Sequence, residues 1–399
     1  MMNFKSKAVV QLLNRIQVGT LYLKTPDQKI LKFEGKNEPC KIIADLQLKD
    51  WQVFSRVLER GDVGFGECFI EGLWNSDDIS NLLTFVVLNK ESLDSVIHGN
   101  RFFLFFRAIA NYFRFNSKIN AKKNIEFHYD ISNDFYRAWL DSSMTYSSGL
   151  FKSHDESCSS VTLDQAQRNK LDRAIEIIQP LPNGSDVCEI GFGWGSLAYT
   201  IIEKTSWNYH GITLSNKQYE YVSEEISKRS ERKSTVELKD YRDINKKFDA
   251  ILSIEMFEAV GEAYWVGFFH CLFNNLKEGG KVLIQTILIS DEKFDHYRNR
   301  IDYIQTYIFP GGMLASPKVF RSLAKNVGFE IIDELFFGKD YAETLARWSK
   351  NFSESNDEIC KMGFNEKFRR QWKFYLEYCK AGFNSEEITV AQYVFKKNS

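Results

Sequence analysis

The chain has 399 residues, of which 52 are Lys or Arg and 53 are Asp or Glu, giving a formal net charge of −1. This balance provides no broad positive surface, so we expect no nucleic-acid partner. Hydrophobic residues make up 44% of the sequence, which is enough for a sizeable core, and seven scattered cysteines without a CxxC pair indicate reduced thiols and no metal site.

The amino-terminal residues predict a small mixed domain. GTLYLKTPD and QKILKFEG alternate apolar and polar residues, as paired strands do. WQVFSRVLERG predicts a helix that ends at Gly61, and DDISNLLTFVVL predicts a second helix. The amino terminus has no signal-peptide core, and no run approaches the ~20 apolar residues of a membrane span, so we expect a cytoplasmic protein.

A basic, aromatic-rich segment follows at 101–118, RFFLFFRAIANYFRFNSK, with six Phe among three Arg and one Lys. A helix of this composition can lie at the surface of an anionic bilayer, whereas an ordinary helix between domains would bury the same Phe side chains. Both roles stay open. The polar NSKINAKKN that overlaps its end is typical of a linker, and we place a domain boundary at residue 116.

From about residue 160, helical and strand patterns alternate. TLDQAQRNKLDRAIEIIQ predicts a helix, whereas SDVCEIGFG, FDAILSIEMF and KVLIQTILI predict strands. This alternation predicts a parallel sheet with helices on both faces. The carboxy-terminal TVAQYVFKK predicts a closing strand at the edge of the sheet.

The glycine-rich turn EIGFGWGS, residues 189–196, follows the first of these strands and predicts a ligand-binding loop. A phosphate loop requires a lysine that this turn lacks, and the dinucleotide pattern GxGxxG is only half met, by Gly191 and Gly193. Glu189 would repel a pyrophosphate, but it suits a ligand with a cationic amino-acid end. The turn therefore favours S-adenosylmethionine as the cofactor.

Two later turns carry further candidate ligand residues. Thr213, Ser215 and Gln218 follow the second strand, where an acid that grips the ribose often stands. Tyr241, in DYRD, follows the next apolar-to-polar step, and its ring could stack on adenine. Because a doubly wound sheet binds ligands at the carboxyl edge of its strands, we expect these turns to lie beside the glycine loop.

Several motifs together resemble the cyclopropane-fatty-acyl-phospholipid synthases and their mycolic-acid relatives. They are FHYDISNDFYRAWLDSSMTYSSGLF (127–151), EIGFGWGSLA (189–198), GITLSNKQ (211–218), DYRD (240–243), EMFEAVG (255–261), YIFPGGMLAS (307–316) and KDYAETLARW (339–348). The resemblance implies an α/β, Rossmann-like class I methyltransferase domain at 117–399, with a doubly wound, mostly parallel seven-stranded sheet. It also implies a smaller α+β lipid-binding domain at 1–116, because GDVGFGECFIEGLW looks like the extension typical of phospholipid-acting members.

The same resemblance implies an activity and its partners. The expected substrate is a phospholipid membrane with unsaturated acyl chains, reached by peripheral association with the inner face of the cell membrane, and a homodimer is compatible with this. The expected enzyme transfers a methylene unit from S-adenosylmethionine to the acyl double bond through a carbocation. Aromatic rings such as Tyr136, Tyr146 and Phe257 could stabilise that cation, and a bound bicarbonate would remove a proton so that the cyclopropane ring closes.

Site residues carry over from the family motifs position by position. Together with the turn residues above, the candidate cofactor contacts are Tyr146, Ser147, Glu189, Gly191, Gly193, Gly195, Thr213, Leu214, Ser215, Gln218, Tyr241 and Arg242. Glu258 and Tyr341 belong to the implied bicarbonate pocket, and His128 is either catalytic or structural.

Two positions of that pocket depart from the family pattern. Ser148 stands where a cysteine is usual, and Gln285 replaces a histidine, so one potential positive charge is lost. Two products therefore stay open: a cyclopropane, which the retained Glu258 and Tyr341 favour, or a methylated or methylene chain without a ring. N-methylation of a small molecule and non-catalytic lipid binding are the remaining alternatives.

Overall fold

The computed structural model describes residues 4–36, 42–90, 92–93, 131–151, 160–229 and 234–398. The basic aromatic segment at 101–118, the linker and His128 lie outside these residues, so their predicted roles stay predictions. The chain divides into two compact units. The first comprises Met1–Phe113, His296–Ile308 and Leu345–Glu387, and the second comprises Arg114–Asp295, Phe309–Thr344 and Ile388–Ser399.

The helices and strands are named here in chain order. The helices are α1 (Phe4–Leu13), α2 (Gln52–Ile70), α3 (Ile79–Leu88), α4 (Asn133–Arg137), α5 (Leu163–Ile178), α6 (Ser196–Lys204), α7 (Asn216–Arg229), α8 (Trp265–Asn274), α9 (Asp291–Arg298), α10 (Tyr303–Tyr307), α11 (Pro317–Val327), α12 (Gly338–Glu354), α13 (Asn356–Lys361) and α14 (Glu366–Asn384). The strands are β1 (Thr20–Lys24), β2 (Ile30–Glu34), β3 (Ile43–Leu48), β4 (Trp74–Asn75), β5 (Asp186–Ile190), β6 (Asn208–Thr213), β7 (Ser234–Leu238), β8 (Phe248–Ile254), β9 (Leu276–Ile289), β10 (Phe329–Phe336) and β11 (Ile388–Lys397).

The first unit contains a four-stranded sheet in the order β2-β1-β3-β4. The predicted pairing of the first two strands is confirmed, because β1 runs antiparallel to β2. The helix predicted to end at Gly61 is the first of two helical segments that make up α2. Gly61 adopts φ 59° and ψ −137°, a non-helical conformation that glycine tolerates, so the first segment ends there and the second continues to Ile70.

The predicted division assigned every residue after 116 to one catalytic domain, whereas the first unit also contains 296–308 and 345–387. The aromatic side chains of α14 explain the difference, because α14 packs against α2 and α3. The ring of Phe374 lies 5.7 Å from that of Phe69 and 4.7 Å from that of Tyr303. Burial of these rings joins segments that are far apart along the chain.

The second unit contains a seven-stranded sheet, as predicted, and its strand order is β10-β11-β9-β8-β5-β6-β7. Neighbouring strands from β9 to β7 are parallel, and β11 runs antiparallel to β9 and β10. The prediction that TVAQYVFKK closes the sheet at its edge is wrong, because β11 is inserted between two strands. Most residues of β11 are buried, which a strand at the edge of the sheet would not achieve.

An apolar core lies beside β5. Buried Val187, Ala250 and Leu283 come from neighbouring strands and pack with Ile175 of α5 and Ile201 of α6. Because β5, β6 and β8 are parallel, their carboxyl ends lie at the same edge of the sheet. Within the described residues, no helix combines the length and apolar character needed to cross a membrane.

Candidate active site

The glycine loop joins β5 to α6 at the carboxyl edge of the sheet. Gly191, Gly193 and Gly195 all have positive φ, of 85°, 55° and 88°, and Gly195 caps the amino terminus of α6. A Cβ at Gly195 would lie 2.7 Å from the ring of Tyr199, so a side chain there would have to displace that ring as well as adopt a strained conformation. The loop thus presents backbone N–H groups at a helix start without side chains in front of them.

Glu189 lies at the end of β5 and is buried, with 3% of its surface exposed. Its Oε2 accepts a hydrogen bond of 2.5 Å from the Tyr209 hydroxyl on β6. Burial raises the pKa of Glu189 to about 8, although the Tyr209 hydrogen bond and the Lys170 charge both act to lower it. A buried carboxyl in this state favours a cationic ligand, because binding a positive charge stabilises its ionised form.

The turn after β6 is held by its own side chains. The Thr213 hydroxyl donates to Gln218 Oε1 at 3.0 Å, and the backbone N–H of Gln218 donates to Ser215 Oγ at 3.2 Å. All three residues are buried, whereas Leu214 is half-buried. The predicted contacts of Thr213, Ser215 and Gln218 with the cofactor stay predictions, and in this structure these side chains fix the shape of the turn.

Tyr241 and Arg242 form a short 3-10 turn near the same edge. The Tyr241 ring packs edge-on against Phe268, with centroids 5.2 Å apart. Arg242 donates from Nε and Nη2 to the two oxygens of Asp240, at 2.8 and 2.6 Å. The bidentate pair and the ring contact hold Tyr241 and Arg242 in defined positions, and their contacts with adenine stay predictions.

The loop at 141–151 carries the two residues predicted to close over the cofactor. The Tyr146 ring lies 5.6 Å from that of Tyr136 and 5.5 Å from that of Trp139. Ser147 Oγ accepts a hydrogen bond of 2.5 Å from the ammonium group of Lys170, which is fully buried in α5. Burial lowers the pKa of Lys170 to about 8, against the raising influence of nearby carboxylates, chiefly Glu255.

Glu255 brings three of the predicted catalytic positions together. Its Oε1 accepts hydrogen bonds from the backbone N–H of Ser148 at 2.9 Å and from the Gln285 amide at 2.7 Å. Its Oε2 accepts one from the Tyr341 hydroxyl at 2.6 Å. Burial raises the pKa of Glu255, while these donors and Lys170 act to lower it. Three groups predicted to hold or border bicarbonate are therefore already bonded to a carboxylate of the chain, whereas Glu258 is not one of them.

The backbone of Glu255 is also unusual. Its φ is +49°, in the left-handed region that favours glycine and costs other residues about 1 kcal/mol or more. Its N–H donates to the carbonyl of Gln285 at 2.8 Å, directly after the parallel pairing of Ile254 with Gln285. The strained residue is held between β8 and β9.

Glu258 lies on the 3-10 turn after Glu255. Its Oε1 accepts from the Thr286 hydroxyl at 3.0 Å and from the backbone N–H of Ile287, whereas its buried Oε2 has no hydrogen-bond partner within the described part of the chain. Burial, with the charge of Glu255, raises the pKa of Glu258 to about 8. Two carboxyl groups thus share this edge, one held by several donors and one that favours a proton.

A chain of side-chain hydrogen bonds extends from Gln285 through Gln392 to Arg173. The side-chain oxygen of Gln285, Oε1, accepts a hydrogen bond of 3.0 Å from the side-chain amide of Gln392. The side-chain oxygen of Gln392 in turn accepts one from Arg173. Sequence reasoning missed Glu255, Tyr209, Lys170 and Gln392. The one available signal was the position of Glu255 directly after a buried strand that ends at the ligand edge.

A glycine loop that begins at a buried glutamate, on the carboxyl edge of a doubly wound seven-stranded sheet, defines an S-adenosylmethionine-dependent methyltransferase of class I fold. The chain belongs to the family described as mycolic acid cyclopropane synthetase, whose sequence profile matches residues 116–393. The predicted family, fold, enzyme class and cofactor S-adenosylmethionine are thereby confirmed.

Individual relatives extend this match. The tuberculostearic acid methyltransferase UfaA1 of Mycobacterium tuberculosis is 34% identical over 346 residues, which cover 85% of this chain and 79% of that protein. The cyclopropane-fatty-acyl-phospholipid synthase of Escherichia coli is 32% identical over 354 residues, covering 89% and 88%. The solved structure of the mycolic acid cyclopropane synthase CmaA1 complexed with SAH and CTAB has 30% identity and a TM-score of 0.63, covering 69% of this chain and 98% of that one.

Proposed function

We propose that the protein transfers a methylene unit from S-adenosylmethionine to the double bond of an unsaturated acyl chain in membrane phospholipid and forms a cyclopropane. The observation that carries this proposal is the extent of the similarity to the Escherichia coli phospholipid enzyme. It covers 89% of the chain and therefore includes most of the first unit, whereas the similarity to CmaA1 covers 69%. The first unit is accordingly proposed as the part that presents the lipid.

The site residues fit the methyl donor. When bound, S-adenosylmethionine supplies a sulfonium methyl group, which is a strong electrophile. We assign the ammonium end of this donor to Glu189, and its methionine chain to the side-chain-free turn at Gly191 and Gly193. Tyr146 and Ser147 would cover it from the loop at 141–151, where Lys170 fixes the Ser147 hydroxyl.

The aromatic cluster beside this loop suits a cationic acyl chain. Tyr136, Trp139 and Tyr146 lie within 6 Å of one another between ring centroids, and Trp194 of the glycine loop lies 4.6 Å from Tyr136. Such faces attract a positive charge, and their packing excludes water that would quench it. Alignment of the double bond with the donor methyl would supply much of the rate enhancement.

Labelled S-adenosylmethionine and liposomes of unsaturated phospholipid test this proposal. We expect label in the lipid, a mass gain of one CH₂ per modified chain, and upfield cyclopropyl protons in the NMR spectrum of the product. Absence of label in lipid under every lipid composition tested would refute the proposed function. Soluble amines, incubated without lipid, are the control for a small-molecule N-methyltransferase.

A second product is favoured by one observation. UfaA1, the 34% identical relative, is named for tuberculostearic acid and as a methyltransferase. A methylated or methylene acyl chain without a ring therefore remains the alternative product. The same NMR spectrum separates the two, because a modified lipid without cyclopropyl protons would replace the ring assignment while leaving methyl transfer to lipid intact.

A further inference from the structure

Bicarbonate, which the family resemblance implies, does not fit this site as the structure has it. Three of the groups predicted to hold or border it, the Ser148 N–H, the Gln285 amide and the Tyr341 hydroxyl, all donate to Glu255. A hydrogen that is already donated at 2.6 to 2.9 Å is not available to a second anion. The place in which an anion would be bound is filled by a side chain.

We propose that the Glu255 carboxylate is itself the proton acceptor of the reaction, so that the enzyme needs no dissolved bicarbonate. This inference rests on the proposed function and deepens it by naming the group that completes the reaction. It also accounts for the departures at Ser148 and Gln285. A neutral amide and a backbone N–H suit a tethered carboxylate, whose charge needs no histidinium to be held in place.

The contacts of Glu255 are those of an ionised carboxylate. Oε1 receives two N–H donors, while Oε2 receives the single hydroxyl of Tyr341 within the described residues. Because a carboxylate oxygen has two acceptor sites, Oε2 keeps capacity for one more proton. Burial raises the pKa of this carboxyl, and the charge of Lys170 acts with the three donors against that shift.

The backbone supports the same assignment. Glu255 is held at φ +49°, where glycine would be unstrained. A residue that keeps a full-length acidic side chain in such a conformation is expected to do so for function, since strained residues concentrate at active sites. Three hydrogen bonds from three separate segments oppose the strain and fix the carboxylate.

The proposed step balances as follows. Once the acyl chain carries the transferred methyl group and a positive charge on the adjacent carbon, one C–H bond of that methyl group breaks. Its electron pair forms the last C–C bond of the ring at the cationic carbon, and the proton goes to Oε2 of Glu255. The proton returns to solvent before the next turnover, and no oxidant or reductant is involved.

The decisive experiment compares wild-type enzyme, Glu255→Gln and Glu255→Gly in buffer freed of CO₂ and in the same buffer with added bicarbonate. Wild-type turnover should be the same in both. Glu255→Gln keeps the volume but not the base, so we expect a loss of roughly 10²–10⁴-fold that bicarbonate does not restore. Glu255→Gly removes the side chain that fills the predicted bicarbonate site, so added bicarbonate should restore the turnover of this variant by about tenfold or more.

Binding of ¹³C-bicarbonate, followed by NMR, gives a readout that does not depend on activity. We expect saturable binding to Glu255→Gly and none to wild-type protein. Glu386→Gly is the matched control, because Glu386 also has a positive φ, of 58°, and its replacement relieves the backbone without opening this site. This control should leave turnover and bicarbonate binding at the wild-type values.

Several outcomes would overturn the assignment: wild-type turnover that requires bicarbonate, saturable bicarbonate binding to wild-type protein, or full activity of Glu255→Gln. If Glu255→Gly fails to fold, the wild-type comparison and the more conservative Glu255→Gln still decide the question. A failure of the proposed function is distinguishable, since wild-type protein would then modify no lipid while the ¹³C-bicarbonate comparison would still reveal whether Glu255 fills the anion place.

Discussion

Replacing Tyr209 by Phe should weaken S-adenosylmethionine binding through the pKa of Glu189. Among the described residues, the Tyr209 hydroxyl is the one side-chain donor to the Glu189 carboxyl, at 2.5 Å, and both groups are buried. At pH 7, a carboxyl with a pKa of about 8 is mostly protonated. A cationic ligand that needs the ionised form must therefore displace a proton when it binds.

The size of the effect follows from the lost hydrogen bond. A hydrogen bond to a charged group contributes about 1.5–3 kcal/mol, so its removal should raise the pKa of Glu189 by about one to two units. At pH 7 the dissociation constant for S-adenosylmethionine should then increase by roughly 10- to 100-fold. At pH 8.5, where more of the carboxyl is ionised in both proteins, the ratio should be about threefold smaller.

Isothermal titration calorimetry across pH 6.5 to 8.5, in buffers of different ionisation enthalpy, measures both the affinity and the protons released. Tyr393→Phe is the matched control, because the Tyr393 hydroxyl is buried on β11 and has no hydrogen-bond partner within the described residues. An affinity of Tyr209→Phe that equals that of Tyr393→Phe at pH 7 would refute the reasoning. So would a loss of affinity that does not change with pH.

Three further predictions concern separate parts of the molecule. Glu258→Gln should keep S-adenosylmethionine affinity, and its Tm should fall less between pH 5 and 8 than that of wild type. In the native protein Glu258 keeps its proton up to a pKa of about 8, whereas in the unfolded chain it loses the proton near pH 4.5. The free energy of unfolding of wild type therefore decreases by up to about 1.4 kcal/mol per pH unit between these two pH values. Equal slopes of Tm against pH for the two proteins would contradict this. Gly195→Ala should weaken cofactor binding far more than Gly193→Ala, because a Cβ meets Tyr199 at 2.7 Å at the first position and nothing within 4 Å at the second; similar titration curves would contradict it. Arg370→Ala should destabilise the first unit by about 3 kcal/mol, because Arg370 donates to the Phe69 and Trp74 carbonyls and to Asn75; a melting profile that matches wild type would rule this out.

The sequence predicted the second unit well where patterns are local. The strand at SDVCEI, the glycine turn and the helix after it depend on residues that are neighbours in the chain, and all three are present as β5, the loop and α6. β7 was not predicted, because Ser234–Leu238 is short and its side chains are not buried. The interior position of β11 depends on pairing across about one hundred residues, which no local pattern records.

The site residues to which the family motifs assign a role could be predicted from the sequence, whereas Glu255 could not. Ser148, Gln285 and Tyr341 were expected in one pocket because the family motifs contain them, and the structure does bring them together. Glu255 is the residue around which they meet, and its partners lie 30, 86 and 107 positions away along the chain. A glutamate after a strand is unremarkable in sequence, and only its left-handed backbone and its donors reveal the role proposed for it.

The side-chain amides behind Glu255 have a fixed polarity. Arg173 can only donate, so the oxygen of Gln392 must face it, the nitrogen of Gln392 must face the oxygen of Gln285, and the nitrogen of Gln285 must face Glu255. If Gln392 flipped, its N–H donors would face the N–H donors of Arg173, and if Gln285 flipped, its oxygen would face the carboxylate of Glu255. The two amide dipoles therefore point the same way, from the Arg173 cation on α5 to the proposed base Glu255. Gln392 does not contact Glu255, but its substitution would free the Gln285 amide to rotate and would thereby affect proton transfer to Glu255.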